Sequence, residues 1–198
     1  MKSKLGIICL LFGVILVLIA LCLYIFNTSE DTRASKYSAK ALEDVVDVIE
    51  NNKNEINTDT ASDMQMPTAE IDGESYIGYI YIPTLEDLEL PVMSEWSYDR
   101  LKKSPCKYSG NVYEGNMVLL GHNYTAHFGK LSRLTQGDKV YFTDINGILY
   151  SYEVVGIDIL DQTDIEAMSS GEYDLSLFTC DYSGKNRLTV RCIVSKGE

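Results

Sequence analysis

An uninterrupted apolar run near the N-terminus constrains this chain more than any other feature. Residues 5–26 contain no charged side chain. At about 1.5 Å per residue, a helix of that length spans roughly 33 Å, which is enough to cross the hydrocarbon core of a bilayer. A cleaved signal peptide has a shorter apolar core and a small-residue cleavage site, and this run has neither property. The run therefore predicts an uncleaved transmembrane anchor.

Charged residues on either side of the run predict its orientation. Lys2 and Lys4 precede it, whereas Glu30 and Asp31 follow it. Because positive residues favour the cytoplasmic end of a membrane helix, we expect a cytoplasmic tail at residues 1–4 and an extracellular chain from residue 27 onward. The predicted location is the cell membrane, with a single pass.

The extracellular part is acidic. All 29 Asp and Glu residues follow the apolar run, and the formal net charge of the whole chain is −12. Nucleic acid binding needs a basic surface, so this composition excludes it. The acidic excess is typical of a soluble domain held close to an anionic cell surface.

The chain contains five cysteines, and their spacing matches neither a disulfide framework nor a metal site. Cys9 and Cys22 lie in the apolar run, and Cys192 lies in an apolar β pattern that indicates a core position. A disulfide between Cys106 and Cys192 stays open as an alternative. We expect neither a bound metal nor a cofactor.

The segment that follows the membrane run, residues 27–70, is predicted to be a stalk. Within residues 35–51, apolar side chains recur at helical spacing, namely Ala39, Leu42, Val45, Val46 and Ile49. Such a helix either packs on the following domain or serves as a spacer. Residues 51–67 are rich in Asn, Asp, Thr and Ser, which predicts a linker.

Residues 71–198 have the pattern of one mainly β domain. Seven β-prone segments end at turn signals, and they lie at residues 76–82, 88–92, 117–120, 139–143, 148–159, 175–179 and 187–194. Short helices are expected at residues 98–102, 128–134 and 164–168. Seven or eight short strands separated by turn signals predict a closed β-barrel.

The residues that can carry chemistry lie at the ends of these β-prone segments. The run at residues 176–180 ends in Cys180, Arg187 opens the next run, and His122 follows the short apolar segment 117–120. A thiol, an imidazole and a guanidinium are the parts needed for acyl transfer through a thioester. These three residues are therefore the catalytic candidates, and His127 and Arg191 are their competitors.

The motif around Cys180 resembles the nucleophile signature of the sortase family, which reads Thr-Leu-x-Thr-Cys followed by Arg. Here the motif is Ser-Leu-Phe-Thr-Cys followed by Arg187, with Ser176 in place of the first Thr. The sequence Gly121-His122-Asn123 resembles the Gly-His motif of the same family, and the resemblance extends over about residues 75–196.

This resemblance implies a closed seven- or eight-stranded sortase-like barrel with catalytic His122, Cys180 and Arg187. His122, as an imidazolium, would stabilise the thiolate. Substrate contacts are implied for Asn123, Ser176 and Thr179.

The implied activity is that of a membrane-anchored cysteine transpeptidase of the Gram-positive cell surface. Such an enzyme cleaves an LPXTG-like C-terminal sorting signal of a secreted protein through a cysteine thioester. It then transfers the acyl group to an amine of the cell wall or of another surface protein. The sequence combines features of different sortase classes, so the class stays open.

Two alternatives stay open beside this hypothesis. The first is a cysteine peptidase that hydrolyses the same kind of thioester, although His122 precedes Cys180 here, unlike the order in papain-like enzymes. The second is a non-catalytic, membrane-tethered β-domain that binds a surface partner through its many tyrosines.

Overall fold

One long helix leads into a sheet of nine strands in the computed structural model, which describes residues 2–55, 65–169, 172–181 and 183–195. The helix, α1, spans Lys2–Glu55. The strands are β1 (Ala69–Ile71), β2 (Glu74–Ile82), β3 (Leu88–Met93), β4 (Cys106–Ser109), β5 (Met117–Leu120), β6 (Lys139–Asp144), β7 (Leu149–Asp161), β8 (Leu175–Cys180) and β9 (Asn186–Val194). Between them lie α2 (Tyr98–Leu101), α3 (Ile165–Met168) and two 3-10 helices, Pro83–Leu85 and Phe128–Arg133.

Eight of the strands close into a barrel, which confirms the predicted fold. Their spatial order is β2-β3-β4-β5-β8-β9-β7-β6, and β6 pairs again with β2, while β1 is an additional strand on the start of β2. The closure depends on Gly78, which has a φ of 142°. A Cβ atom at this position would clash with the carbonyl oxygen of Thr143 on β6. Only glycine allows β2 and β6 to approach this closely.

The seven predicted strands and the three predicted short helices are present, and the sequence analysis missed two strands. One is β1, which turns into β2 through Asp72 and Gly73, both with positive φ. An Asp-Gly pair between β-prone residues is a hairpin signal that could have revealed it. The other is β4, which has four residues and pairs in parallel with β3 at a single position. The predicted β5 is equally short but entirely apolar, whereas Lys107 and Ser109 interrupt β4 and leave it without an apolar run.

The barrel has apolar packing on both of its surfaces. One cluster fills the interior and includes Ile80, Leu119, Phe142, Leu177 and Val190. A second cluster covers part of the outer surface, where α1 packs on β1, β2 and β3. Cys106 belongs to the outer cluster and Cys192 to the inner one, and both are buried free thiols rather than a disulfide. Burial raises the pKa of each thiol to about 12.

Helix α1 runs without interruption from the apolar run onto the barrel. Of the two alternatives for residues 35–51, the structure shows packing on the domain. The buried stripe consists of Ala34, Ser38, Ala41, Val45 and Ile49. Ala39 is exposed instead of packed, because it lies outside this stripe, whose members recur every three or four residues. The predicted linker starts later than expected, since α1 ends at Glu55, and residues 56–64 lie outside the described residues.

The N-terminal part of α1 exposes its large apolar side chains. Almost all aliphatic and aromatic residues from Ile7 to Phe26 are exposed, in contrast to the buried stripe further along the helix. This part is long and apolar enough to cross a membrane.

The packing of α1 can be tested at Val45, which is fully buried in the outer cluster. We expect Val45→Ala to lower the free energy of unfolding by about 2 kcal/mol, because it removes two buried methyl groups and leaves a cavity. Urea unfolding of the detergent-solubilised chain, followed by the fluorescence of its single tryptophan, measures this loss. Val194→Ala is the matched control, since Val194 is exposed. Equal stability of the two variants would contradict the packing described here.

Candidate active site

The parallel pairing of β5 and β8 brings His122 and Cys180 to one edge of the barrel. Leu120 pairs with Phe178, and the Gly121 amide donates to the Phe178 carbonyl at 3.1 Å. His122 and Cys180 each follow the matched pair by two residues. Because strand side chains alternate between two faces, positions two residues apart share a face. This rule places Cys180 on the face of Phe178, whereas His122 lies beyond the end of β5, so the register fixes only that its backbone lies at the same edge of the barrel.

Arg187 occupies the next position along the same edge. It is the direct partner of Cys180 across the antiparallel β8–β9 pair, so their side chains share the outer face. Arg187 Nη1 donates to the carbonyl oxygens of Gly184 at 3.0 Å and Asn186 at 3.1 Å, which holds the guanidinium over the β8–β9 loop. The Cys180 thiol is free and half-buried. The structure thus places the three predicted catalytic residues at one edge of the barrel.

Arg191, the alternative to Arg187, is buried and makes hydrogen bonds within the fold. Its side chain is only 3% exposed, and its Nε donates to Asp158 Oδ2 at 2.9 Å. Its Nη1 donates to Ser176 Oγ at 3.0 Å and to the Met168 carbonyl oxygen at 3.3 Å. These contacts tie β9 to β7, β8 and α3 and leave Arg187 as the accessible guanidinium.

The structure does not bring the hydroxyls of Ser176 and Thr179 to the thiol. Ser176 lies four residues before Cys180 and is buried, and its hydroxyl accepts the hydrogen bond from Arg191. Thr179 points to the opposite face of β8 from Cys180, and its hydroxyl is also buried. Direct substrate contact, predicted for both hydroxyls, is therefore not favoured by their positions.

The His122 ring lies against an aromatic neighbour that the sequence analysis did not single out. It stacks on the Tyr124 ring with centroids 3.8 Å apart and planes 17° from parallel. Burial lowers the pKa of His122, and a side-chain hydrogen bond with Asn123 acts in the opposite direction. The neutral imidazole is therefore the favoured form at neutral pH and can accept a proton from the thiol. Asn123, predicted to bind substrate, contacts His122 itself.

The competing His127 is buried beneath α1. Its side chain is 0% exposed, and its Nε2 lies 2.9 Å from the hydroxyl oxygen of Ser38. Burial, the largest cause, lowers the pKa of His127 to about 4. A neutral histidine enclosed between α1 and the barrel cannot exchange a proton with the Cys180 thiol.

Asp181 organises the loop between Cys180 and Arg187. Its carboxylate accepts hydrogen bonds from Ser183 Oγ at 2.8 Å and from Asn186 Nδ2 at 2.8 Å, and these bonds lower its pKa. The carboxylate therefore closes the turn. An aspartate followed by Ser and Gly is a turn signal that could have revealed this role from the sequence.

An aromatic surface extends from the site across the outer face. Phe178 lies two residues before Cys180 on the same face and makes an edge contact with Tyr108, at a centroid distance of 5.2 Å. Tyr108 in turn contacts Trp96 at 5.9 Å.

Within the part of the chain that the structure describes, no group of three or more His, Cys, Asp or Glu side chains could hold a metal ion.

Comparison with known proteins establishes the family. A family model described as Sortase domain matches residues 80–195, more than half of the chain. This chain belongs to the sortase family. Its activity is that of a cysteine transpeptidase, and the expected sortase barrel is confirmed.

Individual relatives agree with this assignment. The sortase is 27% identical to Sortase A of Listeria monocytogenes over 165 residues, which cover 77% of this chain and 72% of the relative. A Clostridium perfringens Sortase D5 transpeptidase has a similar fold, with a TM-score of 0.61 and 18% identity, over 81% of this chain and 99% of that one. Streptococcus pneumoniae Sortase C has a TM-score of 0.56 and 20% identity, over 86% and 96% of the two chains.

The buried His127 should make the stability of the sortase depend on pH. Its pKa of about 4 in the folded state lies below the usual value near 6.5, so the unfolded chain binds the extra proton between these values. This contribution to stability is complete above about pH 6.5 and is lost as the pH falls toward 4. We expect a loss of about 2 kcal/mol in the free energy of unfolding between pH 7 and pH 5.

Urea unfolding at both pH values measures this loss. His127→Gln should show a smaller loss than the unmodified sortase, whereas His122→Gln should keep most of it because His122 is only partly buried. Parallel pH profiles for the unmodified sortase and His127→Gln would contradict the assignment.

Proposed function

We propose that this sortase cleaves an LPXTG-like C-terminal sorting signal of a secreted protein and forms a thioester on Cys180. It then transfers the acyl group to an amine of the cell wall or of another surface protein. The parallel register of β5 and β8 is the observation that supports this proposal, because His122 and Cys180 both follow its last pair at one edge of the barrel. The direct cross-strand pairing of Cys180 with Arg187 adds a cation on the same face.

In the first step, the neutral His122 accepts the proton of the Cys180 thiol. The resulting thiolate attacks the carbonyl carbon of the scissile peptide bond, and a new S–C bond forms. The carbonyl π electrons move to the oxygen, which becomes an oxyanion. Arg187 stabilises this negative charge. To do so, its guanidinium gives up a hydrogen bond to a loop carbonyl oxygen and donates to the oxyanion instead.

In the second step, the tetrahedral intermediate collapses and the C–N bond breaks. His122, now an imidazolium, donates its proton to the leaving amine. An acceptor amine then attacks the thioester and loses a proton to His122, and the thiol of Cys180 is released with that proton. A primary amine is a better nucleophile than water toward a thioester, which favours transfer over hydrolysis.

The proposed topology follows from α1. Residues 5–26 anchor the sortase in the cell membrane, Lys2 and Lys4 hold the N-terminus in the cytoplasm, and the barrel lies outside. Sorting signals of secreted proteins and amines of the cell wall are both present on that side.

The thioester can be tested with the full chain in detergent, a panel of LPXTG-like and NPXTX-like peptides, and hydroxylamine as the amine. We expect a hydroxamate product whose formation stops in Cys180→Ala, because no other nucleophile forms the acyl intermediate. Intact-mass analysis detects the product and any acyl adduct on the chain. The matched control is Cys22→Ala, which removes an exposed thiol from the apolar run.

The outcomes separate the three functions considered from the sequence. Hydrolysis that added amine does not change would favour a peptidase. Failure of every peptide, together with an unreactive Cys180 thiol, would contradict a catalytic site in this barrel.

The role of Arg187 predicts a large kinetic effect without loss of the fold. Arg187→Ala should lower kcat by about 10²- to 10³-fold, because one stabilising donor to the oxyanion is removed. Lys185→Ala, in the same loop and exposed, is the control. Steady-state kinetics with the best peptide of the panel measures both variants. A kcat of Arg187→Ala close to that of the unmodified sortase would assign the stabilisation of the oxyanion to another donor.

A further inference from the structure

The loop that carries His122 is held by α1 at two points. The Ala126 amide donates to Asp31 Oδ1 at 3.0 Å, and His127 Nε2 lies 2.9 Å from Ser38 Oγ. Asp31 and Ser38 are seven residues apart, so they lie on one face of the helix, two turns from each other. The part of α1 just beyond the apolar run therefore contacts residues 122–127 directly.

The Ser38 hydroxyl determines which nitrogen of the His127 ring carries the proton. Ser38 Oγ donates to the Lys103 carbonyl oxygen at 2.7 Å, which uses its single proton. It can therefore only accept from His127, so Nε2 carries the imidazole proton. This buried contact joins α1, Lys103 and the loop. It also fixes the tautomer of His127, in which Nε2 carries the proton.

Tyr124 connects this anchored end of the loop with His122. Its ring stacks on His122 with centroids 3.8 Å apart and lies 5.6 Å from the His127 ring, so it contacts both imidazoles. Its carbonyl oxygen accepts hydrogen bonds from the amides of His127 and Gly129, both at 2.9 Å. A Cβ atom on Gly129 would clash with the carbonyl oxygens of Asn123 and Tyr124, so the turn is tightly closed.

His122 needs such support because it follows the end of β5 and has no strand to orient it. In the proposed reaction its ring accepts and donates protons in both half-reactions. A misplacement of about 1 Å in such a group can lower a rate about 10²-fold. A flat ring in parallel contact limits the rotation of the imidazole while leaving its nitrogen atoms free to react.

We propose that Tyr124 is the positioning residue for His122, and that His127 bound to Ser38 fixes Tyr124 in place. The part of α1 just beyond the apolar run is then a component of the active-site framework rather than a spacer. This inference rests on the proposed role of His122 as the proton carrier.

Two substitutions at Tyr124 separate positioning from a general structural role. With the full chain in detergent, Tyr124→Leu should lower kcat by about 10²-fold and leave KM within about twofold, because a misplaced His122 slows proton transfer rather than substrate binding. Tyr124→Phe should keep kcat, since the ring and not the hydroxyl makes the stack. Unchanged kcat in Tyr124→Leu, or an equal loss in Tyr124→Phe, would overturn the proposal.

A spectroscopic measurement tests the stack independently of any peptide. The chain has only two histidines, so histidine-selective labelling gives two imidazole Hε1 signals, which His122→Gln and His127→Gln assign. Loss of the tyrosine ring current should shift the His122 signal in Tyr124→Leu, and Tyr124→Phe should retain the position of the unmodified sortase. An unshifted His122 signal in Tyr124→Leu would overturn the stack even if no peptide of the panel is turned over.

The contribution of α1 is tested on the helix itself. Ser38→Ala removes the acceptor for His127, so it should shift both histidine signals and lower kcat in the same direction as Tyr124→Leu. Ser35→Ala is the matched control, because Ser35 is exposed one turn earlier on the same helix. A shift of the His127 signal alone, with kcat unchanged, would overturn the link from α1 to His122.

Discussion

The parallel pairing of β5 with β8 is the interaction on which the site depends. Residues 117–120 and 175–178 are distant in sequence, and their backbone pairing brings His122 and Cys180 to one edge of the barrel. The antiparallel partner β9 then adds Arg187 at the same edge. The position of the thiol is therefore a property of strand register, and a shift by one residue would move it to the opposite face.

The remaining structure keeps this register in place from both sides. Apolar side chains fill the barrel interior, and α1 covers an outer cluster that includes Phe178 and Leu120. The buried Arg191 joins β7, β8 and β9 through side-chain and carbonyl contacts below the site. Asp181 closes the loop above it. Arg191 and Asp181 thus hold the two ends of β8, and Cys180 lies between their contacts.

Periodicity and turn chemistry predicted most of the barrel, because long alternating strands and short fully apolar strands show their pattern locally. They did not reveal β4, in which polar residues interrupt the apolar ones, or the complete face of α1 that packs. The expected stripe correctly included Val45 and Ile49, but it extended to Ala39 and Leu42, whereas contact with the sheet buries Ala34, Ser38 and Ala41. Motifs predicted His122, Cys180 and Arg187, but the stack with Tyr124 depends on a loop conformation that no local pattern encodes.

The continuity of α1 has a geometric consequence for how substrates reach the sortase. Ser38 lies twelve residues beyond Phe26, which corresponds to about 18 Å of unbroken helix. In the proposed topology, this unbroken helix would keep the Cys180 thiol at a constant height above the bilayer. The enzyme would then search a thin layer parallel to the membrane by lateral diffusion. Under that proposal, the distance of a sorting signal from the membrane becomes a criterion of selection alongside its sequence.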